Sequence, residues 1–296
     1  MNLRDRLIDP RSPDRRPRRA AYALPTMFTA GNVFLGFYSI IEVFQGVIDY
    51  LANASSAQGH FQTAALAIGW AVFLDGLDGR IARMTNTVSE FGREMDSLAD
   101  VITFGIAPAV LAFAWGIQFV TPPTDMITIE QLRRAGYFFS FLFLLCGAAR
   151  LARFNIQKNP IPKNPGRPDK KYFVGLAIPA AAGMVAAVVY ACGGTPLHWW
   201  VYSAAWLALL GVLALLMVST WRYPSFKDLN LLQPRSFKTV VVLGSVIYLI
   251  WSFTQATLLG MSACYVLIGI VTRVGGLVRR RLRRTPPPAP HVEAPV

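Results

Sequence analysis

The chain has 296 residues, 54% of them hydrophobic and only 15% charged, with a formal net charge of +13. Soluble domains carry about 25% charged residues, so a soluble core is excluded and a polytopic membrane protein is expected. The basic residues flank apolar runs, which argues against a nucleic-acid partner and for the anionic surface of a lipid bilayer.

A basic arm opens the chain: residues 1–19 hold seven Arg, three Asp and three Pro. It has no apolar core, so no cleavable signal peptide is expected. Eight apolar runs come after it. The first, about 27–47, opens with Pro25-Thr26-Met-Phe-Thr29-Ala-Gly31-Asn32. Asn32 in an apolar helix needs a partner, and a helix–helix hydrogen bond is one reading. The second run, about 61–81, delivers Asp75 and Asp78 at its far end. The third, about 98–120, starts from the same membrane face with Asp96 and Asp100, and Thr103, Gly105 and Pro108 interrupt it. The fourth, about 136–154, ends in Arg150, Arg153 and Asn155. The remaining runs lie at about 173–192, 199–220, 240–253 and 258–271, the last two being short. The tail, 273–296, has six Arg and a Pro-Pro-Pro-Ala-Pro run and reads as a solvated extension.

The expected fold is therefore all-α: a polytopic membrane bundle of about eight transmembrane helices. One membrane domain, 20–272, sits between the arm (1–19) and the tail. Cys146, Cys192 and Cys264 each sit in an apolar run and are odd in number. They read as small buried hydrophobes, not as a disulfide framework. With the amino terminus in the cytoplasm, 27 of the 29 basic residues fall on the cytoplasmic side and only Arg133 and Arg134 fall outside. That orientation puts both termini and all four aspartates at the cytoplasmic face of the inner membrane.

The aspartates organise the chain. Asp75 and Asp78 are spaced i,i+3, and Asp96 and Asp100 i,i+4, so each pair shares one helix face. A helical hairpin through Thr85–Phe91 would let the four carboxylates converge. Clustered negative charges at low dielectric need cations, and hard oxygen ligands favour Mg²⁺, Mn²⁺ or Ca²⁺ over zinc. Two divalent ions about 3.5–4 Å apart would suit a diphosphate and its leaving oxygen. Gly79 and Gly92 allow either close helix packing or close approach of a nucleotide to the backbone. Arg83 reads either as an interfacial cation or as a partner for phosphate oxygens.

The run Asp75-x2-Asp78-Gly79-x2-Ala82-Arg83-x8-Gly92-x3-Asp96-x3-Asp100 resembles the signature of the CDP-alcohol phosphotransferases, with every fixed position present. Within that family, Asp75–Ala109 and Arg150-Leu-Ala-Arg153-Phe154-Asn155 look most like the members that transfer to serine. The resemblance covers roughly 20–185 and implies a six-helix catalytic core and a homodimer. It implies a transferase of phospholipid biosynthesis that moves a phosphatidyl group from CDP-diacylglycerol to L-serine and releases CMP. It implies two divalent ions, Mg²⁺ or Mn²⁺, held by Asp75, Asp78 and Asp96, with Asp96 bridging. It makes Asp100 the general base and counts it with the other three among the metal-site residues. Gly79, Ala82, Arg83, Gly92 and Asn32 then belong to nucleotide and diphosphate binding. On the same membrane face, Arg150, Arg153 and Asn155 are candidates for the acceptor carboxylate. The family's serine-specific members often carry Phe-x-Gly-Leu-Pro-x-Pro; this chain has Phe173-Val-Gly175-Leu176-Ala177-Ile-Pro179, with Ala177 for the first proline.

Two other classes compete for the same residues. The same chemistry with glycerol 3-phosphate, an inositol phosphate or choline would need a different acceptor pocket. A divalent-cation transporter would also use intramembrane carboxylates. Against it, the four Asp gather at one interface with no matching acidic site expected in the other runs.

Overall fold

The structure is a computed structural model that describes residues 19–52, 57–85, 90–121, 126–157, 172–224, 244–245 and 248–282. Its elements are α1 (Arg19–Ala52), α2 (Ala57–Thr85), α3 (Glu90–Asp100), a π-helical turn (Val101–Ile106), α4 (Ala107–Gly116), α5 (Met126–Gln157), β1 (Tyr172–Val174), α6 (Ile178–Ala191), α7 (Trp200–Val218), β2 (Arg222–Pro224) and α8 (Thr254–Leu282). Among the described residues, the architecture is an all-α membrane bundle with one two-stranded ribbon.

Among the described residues, five stretches are long and apolar enough to cross a membrane: Met27–Ala52, Glu94–Gly116, Ile129–Asn155, Trp200–Val218 and Thr254–Val271. The other two helices at expected spans are α2, which carries the charged signature, and α6, which has 14 residues. At 1.5 Å per residue α6 is about 21 Å long, shorter than a bilayer core. The expected run at 240–253 lies partly outside the described residues, which cover 244–245 and 248–253 of it. Most of the arm and the end of the tail lie outside them. Helix α8 continues to Leu282, past the expected domain boundary at 272.

In lipid, apolar burial alone gives little drive for helices to associate, so close packing and polar links hold the bundle. Phe61, Ala64, Ala65, Ile68 and Ala71 form the buried stripe of α2, and α6 answers with Ala181, Ala182, Val185 and Ala186. The small residues let the two backbones approach. Trp206 on α7 donates its Nε1–H to the Ala112 carbonyl (3.0 Å) and packs edge-on against Trp115, with ring centroids 5.1 Å apart. Phe34, Phe37, Phe44, Phe138 and Phe141 are exposed, as lipid-facing side chains should be.

Two glycines are demanded by the packing. A Cβ on Gly36 would stand 2.7 Å from Thr103 Oγ1 and 2.8 Å from its Cα, so α1 can lie against the π turn only without one. Gly175 has φ +78°, and a Cβ there would meet the Met217 carbonyl oxygen at 2.6 Å. That left-handed residue corrects the expected fifth span. Its first residues, Phe173 and Val174, pair with Tyr223 and Arg222 instead of coiling, and the helix begins only at Ile178 with Pro179 in its first turn.

Two further expectations are corrected. Cys192 and Cys264 are exposed, and only Cys146 is partly buried, because the apolar runs they sit in turn those positions outward. An acidic residue does lie in another span: Glu42, on α1. Its Oε2 is 2.7 Å from His60 Nδ1, while His60 Nε2 is 3.0 Å from Asp49 Oδ2. The histidine clamps α1 to α2 at the end remote from the signature, and that clamp accounts for both carboxylates.

Candidate active site

The buried stripe of α2 runs through positions 61, 64, 68 and 71; its helical spacing continues to 75 and 78. That register turns Asp75 toward α3, which carries Asp96 and Asp100 one turn apart. Ligand oxygens of Asp75, Asp96 and Asp100 all lie within 4.8 Å of one another, and the three residues are half-buried. At an effective dielectric near 20, each ionised pair at that separation repels by at least about 3 kcal/mol. The fold tolerates this arrangement most readily with a cation among the oxygens.

The donor set fits such an ion. Magnesium- and calcium-type cations take carboxylate oxygens at about 2.0–2.6 Å. Oxygens on opposite sides of one ion therefore stand about 4–5 Å apart. No nitrogen or sulfur ligand joins this cluster among the described residues, which matches a hard cation and not zinc.

Asp78, Gly79, Ala82 and Arg83 lie on the α2 backbone, with side chains outside the described residues. Gly92 is on α3. Immediately after Asp100 the helix widens into the π turn Val101–Ile106. A π turn holds an extra residue, so it re-phases the helix beyond it. Asp96 and Asp100 thus face the acidic cluster while Phe104, Ala107 and Leu111 face the core. Pro108, which has no N–H to continue an α-helical ladder, is the second residue after the turn.

The other expected residues divide. Asn32 is buried, but its helix–helix bond is made by the backbone: Thr103 Oγ1 donates to its carbonyl at 2.9 Å. Its side-chain Oδ1 is buried with no hydrogen-bond partner among the described residues. Asn155 donates from Nδ2 to Ser97 Oγ at 2.8 Å, tying the end of α5 to the residue after Asp96. Arg150 is partly buried; its Nη2 donates to the Gly175 carbonyl at 3.2 Å, and Asp100 lies within electrostatic range. Arg153 is exposed. Sequence reasoning missed Ser97 and Thr103 as structural partners of the site. The position of Ser97 inside the signature, next to Asp96, was the available signal.

The sequence profile described as CDP-alcohol phosphatidyltransferase matches residues 22–210. The chain is 38% identical over 222 residues to a CDP-diacylglycerol–serine O-phosphatidyltransferase of Helicobacter pylori, covering 72% of this chain and 77% of that one. It is 31% identical over 205 residues to the enzyme of the same name from Bacillus subtilis, covering 69% of this chain and 91% of the other. An archaetidylserine synthase of Methanothermobacter thermautotrophicus is 31% identical over 193 residues, or 64% and 70% of the two chains. A match over most of the chain, an intact signature and three converged aspartates agree: the chain belongs to the CDP-alcohol phosphatidyltransferase family.

Proposed function

We propose that this protein transfers the phosphatidyl group of CDP-diacylglycerol to the hydroxyl of L-serine, forming phosphatidylserine and CMP. The convergence of Asp75, Asp96 and Asp100 carries the reading, and the names of the relatives supply the acceptor. Asp75, Asp78 and Asp96 would hold two divalent ions, Mg²⁺ or Mn²⁺. Once bound, such ions supply charge neutralisation for the diphosphate and its leaving oxygen. Asp100 accepts the proton of the serine hydroxyl. The serine oxygen then forms a bond to the phosphorus that bears diacylglycerol, and the bond from that phosphorus to CMP breaks. Arg83 meets the diphosphate, with Gly79, Ala82 and Gly92 lining the nucleotide's approach, and the orphaned Asn32 Oδ1 offers a further acceptor. Arg150 is the cation for the serine carboxylate. Asn155 acts through Ser97, and the exposure of Arg153 leaves it the lesser candidate.

An apolar cleft of about 380 Å³ between α1, α4 and α5 suits a lipid tail. Its near edge is Ile106, within two turns of Asp100. The reading includes a homodimer, on the family resemblance alone.

An acceptor panel tests the function. Purified protein with CDP-diacylglycerol and Mg²⁺ should release CMP with L-serine and not with glycerol 3-phosphate, an inositol phosphate or choline. Faster release with any of those three would replace the acceptor. The cytoplasmic site has its own test. In a background without the native cysteines, cysteines at Ser12 and Thr285 should react only with reagent on the cytoplasmic side, and one at Ser56 only from outside. The reverse labelling would invert the protein.

A further inference from the structure

The apolar cleft of about 380 Å³ lies at a depth fixed by the three spans that line it. Those spans, Met27–Ala52, Glu94–Gly116 and Ile129–Asn155, have their midpoints near residues 40, 105 and 142. The cleft takes 43–47 from the first, 106–118 from the second and its end, and 137–144 from the third. It therefore lies almost wholly in the membrane half remote from Asp96, Asp100 and Arg150. The hydrocarbon core is about 30 Å thick, or roughly 15 Å per leaflet. A substrate tail anchored at Asp100 thus reaches the midplane and only the near edge of the cleft. From Ile106 to Gln118 the cleft extends about 18 Å further, at 1.5 Å per residue, which is the depth of the opposite leaflet.

Its remote end is the polar one. Gln118 and Tyr137 stand there, and Tyr137 stacks on Phe113 with ring centroids 4.5 Å apart. Gly136 lets α5 close on the end of α4, since a Cβ there would stand 2.9 Å from Ile117 Cγ2. Arg133 is one turn beyond Tyr137. Positions 133, 137, 140, 141 and 144 form one helical stripe, and the last four line the cleft. Arg133 is exposed and has no ion pair among the described residues, whereas Arg134 pairs with Glu130. Only these two of the 29 basic residues are expected on that side of the membrane. Deeper in the wall, Ser140 is buried, and its Oγ has no hydrogen-bond partner among the described residues. Helices α1 and α5 each pack on α4 but scarcely on each other, so the slot between them wants a filler.

A cation at the mouth, amide and hydroxyl donors below it and an apolar slot one leaflet deep match, in order, the phosphate, the ester carbonyls and the tail of a phospholipid. We propose that the cleft binds one anionic phospholipid of the leaflet opposite the acidic cluster, with its phosphate on Arg133 and its tail joining α1 to α5. Guanidinium pairs well with phosphate oxygens. A zwitterionic headgroup would bring its own cation beside Arg133, so a net-negative headgroup is preferred. The site stands on the cleft and Arg133 and does not depend on the proposed reaction.

The test is native mass spectrometry of the full-length protein in detergent, supplied with dioleoyl phosphatidylglycerol or dioleoyl phosphatidylcholine. The wild type should retain one phosphatidylglycerol at about tenfold lower concentration than phosphatidylcholine, the worth of one charge-assisted contact. Arg133→Gln should abolish that preference and leave the KM for CDP-diacylglycerol unchanged. Ser140→Phe, which fills the slot, should lose the retained lipid. Should Ser140→Phe fail to fold, Ala109→Leu fills the same slot from α4. A wild type without the preference, a preference that survives Arg133→Gln, or a lipid that survives both slot-filling variants would each overturn the proposal. Displacement of the retained lipid by CDP-diacylglycerol would give the cleft to the substrate instead. A protein that holds no lipid, and whose dimer separates on slot filling, would give it to a second copy of the chain.

Discussion

Asp96→Asn is expected to abolish phosphatidyl transfer, and Asp75→Asn and Asp78→Asn should do the same. Each replacement takes one negative charge from a set whose oxygens, for Asp75, Asp96 and Asp100, lie within 4.8 Å of one another. Charge stabilisation by bound divalent ions is worth several kcal/mol of barrier, so a loss of about 10³-fold or more is expected. EDTA should produce the same loss in the wild type, with recovery on Mg²⁺ or Mn²⁺. A second readout separates this from misfolding. Removing one of several repelling carboxylates relieves the cluster, so the metal-free variants should melt at or above the metal-free wild type. They should lose the added stability that the wild type gains from a bound ion. Undiminished turnover in chelator, or a variant that keeps both activity and metal stabilisation, would remove the metal centre from the account.

Asp100→Asn carries the second-largest expected effect, a fall of about 10²–10⁴-fold in turnover from loss of the general base. The amide keeps the shape and one carbonyl oxygen but cannot take the serine proton. Metal-dependent stabilisation and binding of CDP-diacylglycerol should survive, measured by calorimetry with and without Mg²⁺. That survival decides the role of the residue, because Asp100 sits as close to Asp75 and Asp96 as a ligand would. If Asp100→Asn loses metal-dependent binding as badly as Asp96→Asn, it is a ligand and the proton goes elsewhere.

The acidic centre was legible in the sequence because its geometry is local. Spacings of three and four residues put Asp75 with Asp78, and Asp96 with Asp100, on single helix faces, and only a short connection separates the two helices. What hydropathy could not resolve was backbone state inside uniformly apolar runs. Phe173-Val-Gly175-Leu176 reads like the start of a span, and only the ribbon partner at Arg222–Tyr223 shows that it begins as a strand. The π turn after Asp100 leaves no compositional trace, since Val101–Ile106 is as apolar as the helix it joins. The polar links were invisible for a different reason. Asn155 finds Ser97 across 58 residues, and Tyr223 finds Tyr265 across a stretch with no motif. His60 sits beside two carboxylates only because α1 and α2 fold back on each other.

The most direct test of the central claim is the product itself. Purified protein is given CDP-diacylglycerol and isotopically labelled L-serine across a titration of Mg²⁺ or Mn²⁺. Labelled phosphatidylserine and CMP are expected in equal amounts, rising with metal and absent in EDTA. CMP release without labelled lipid, or labelled lipid formed equally well in EDTA, would contradict it.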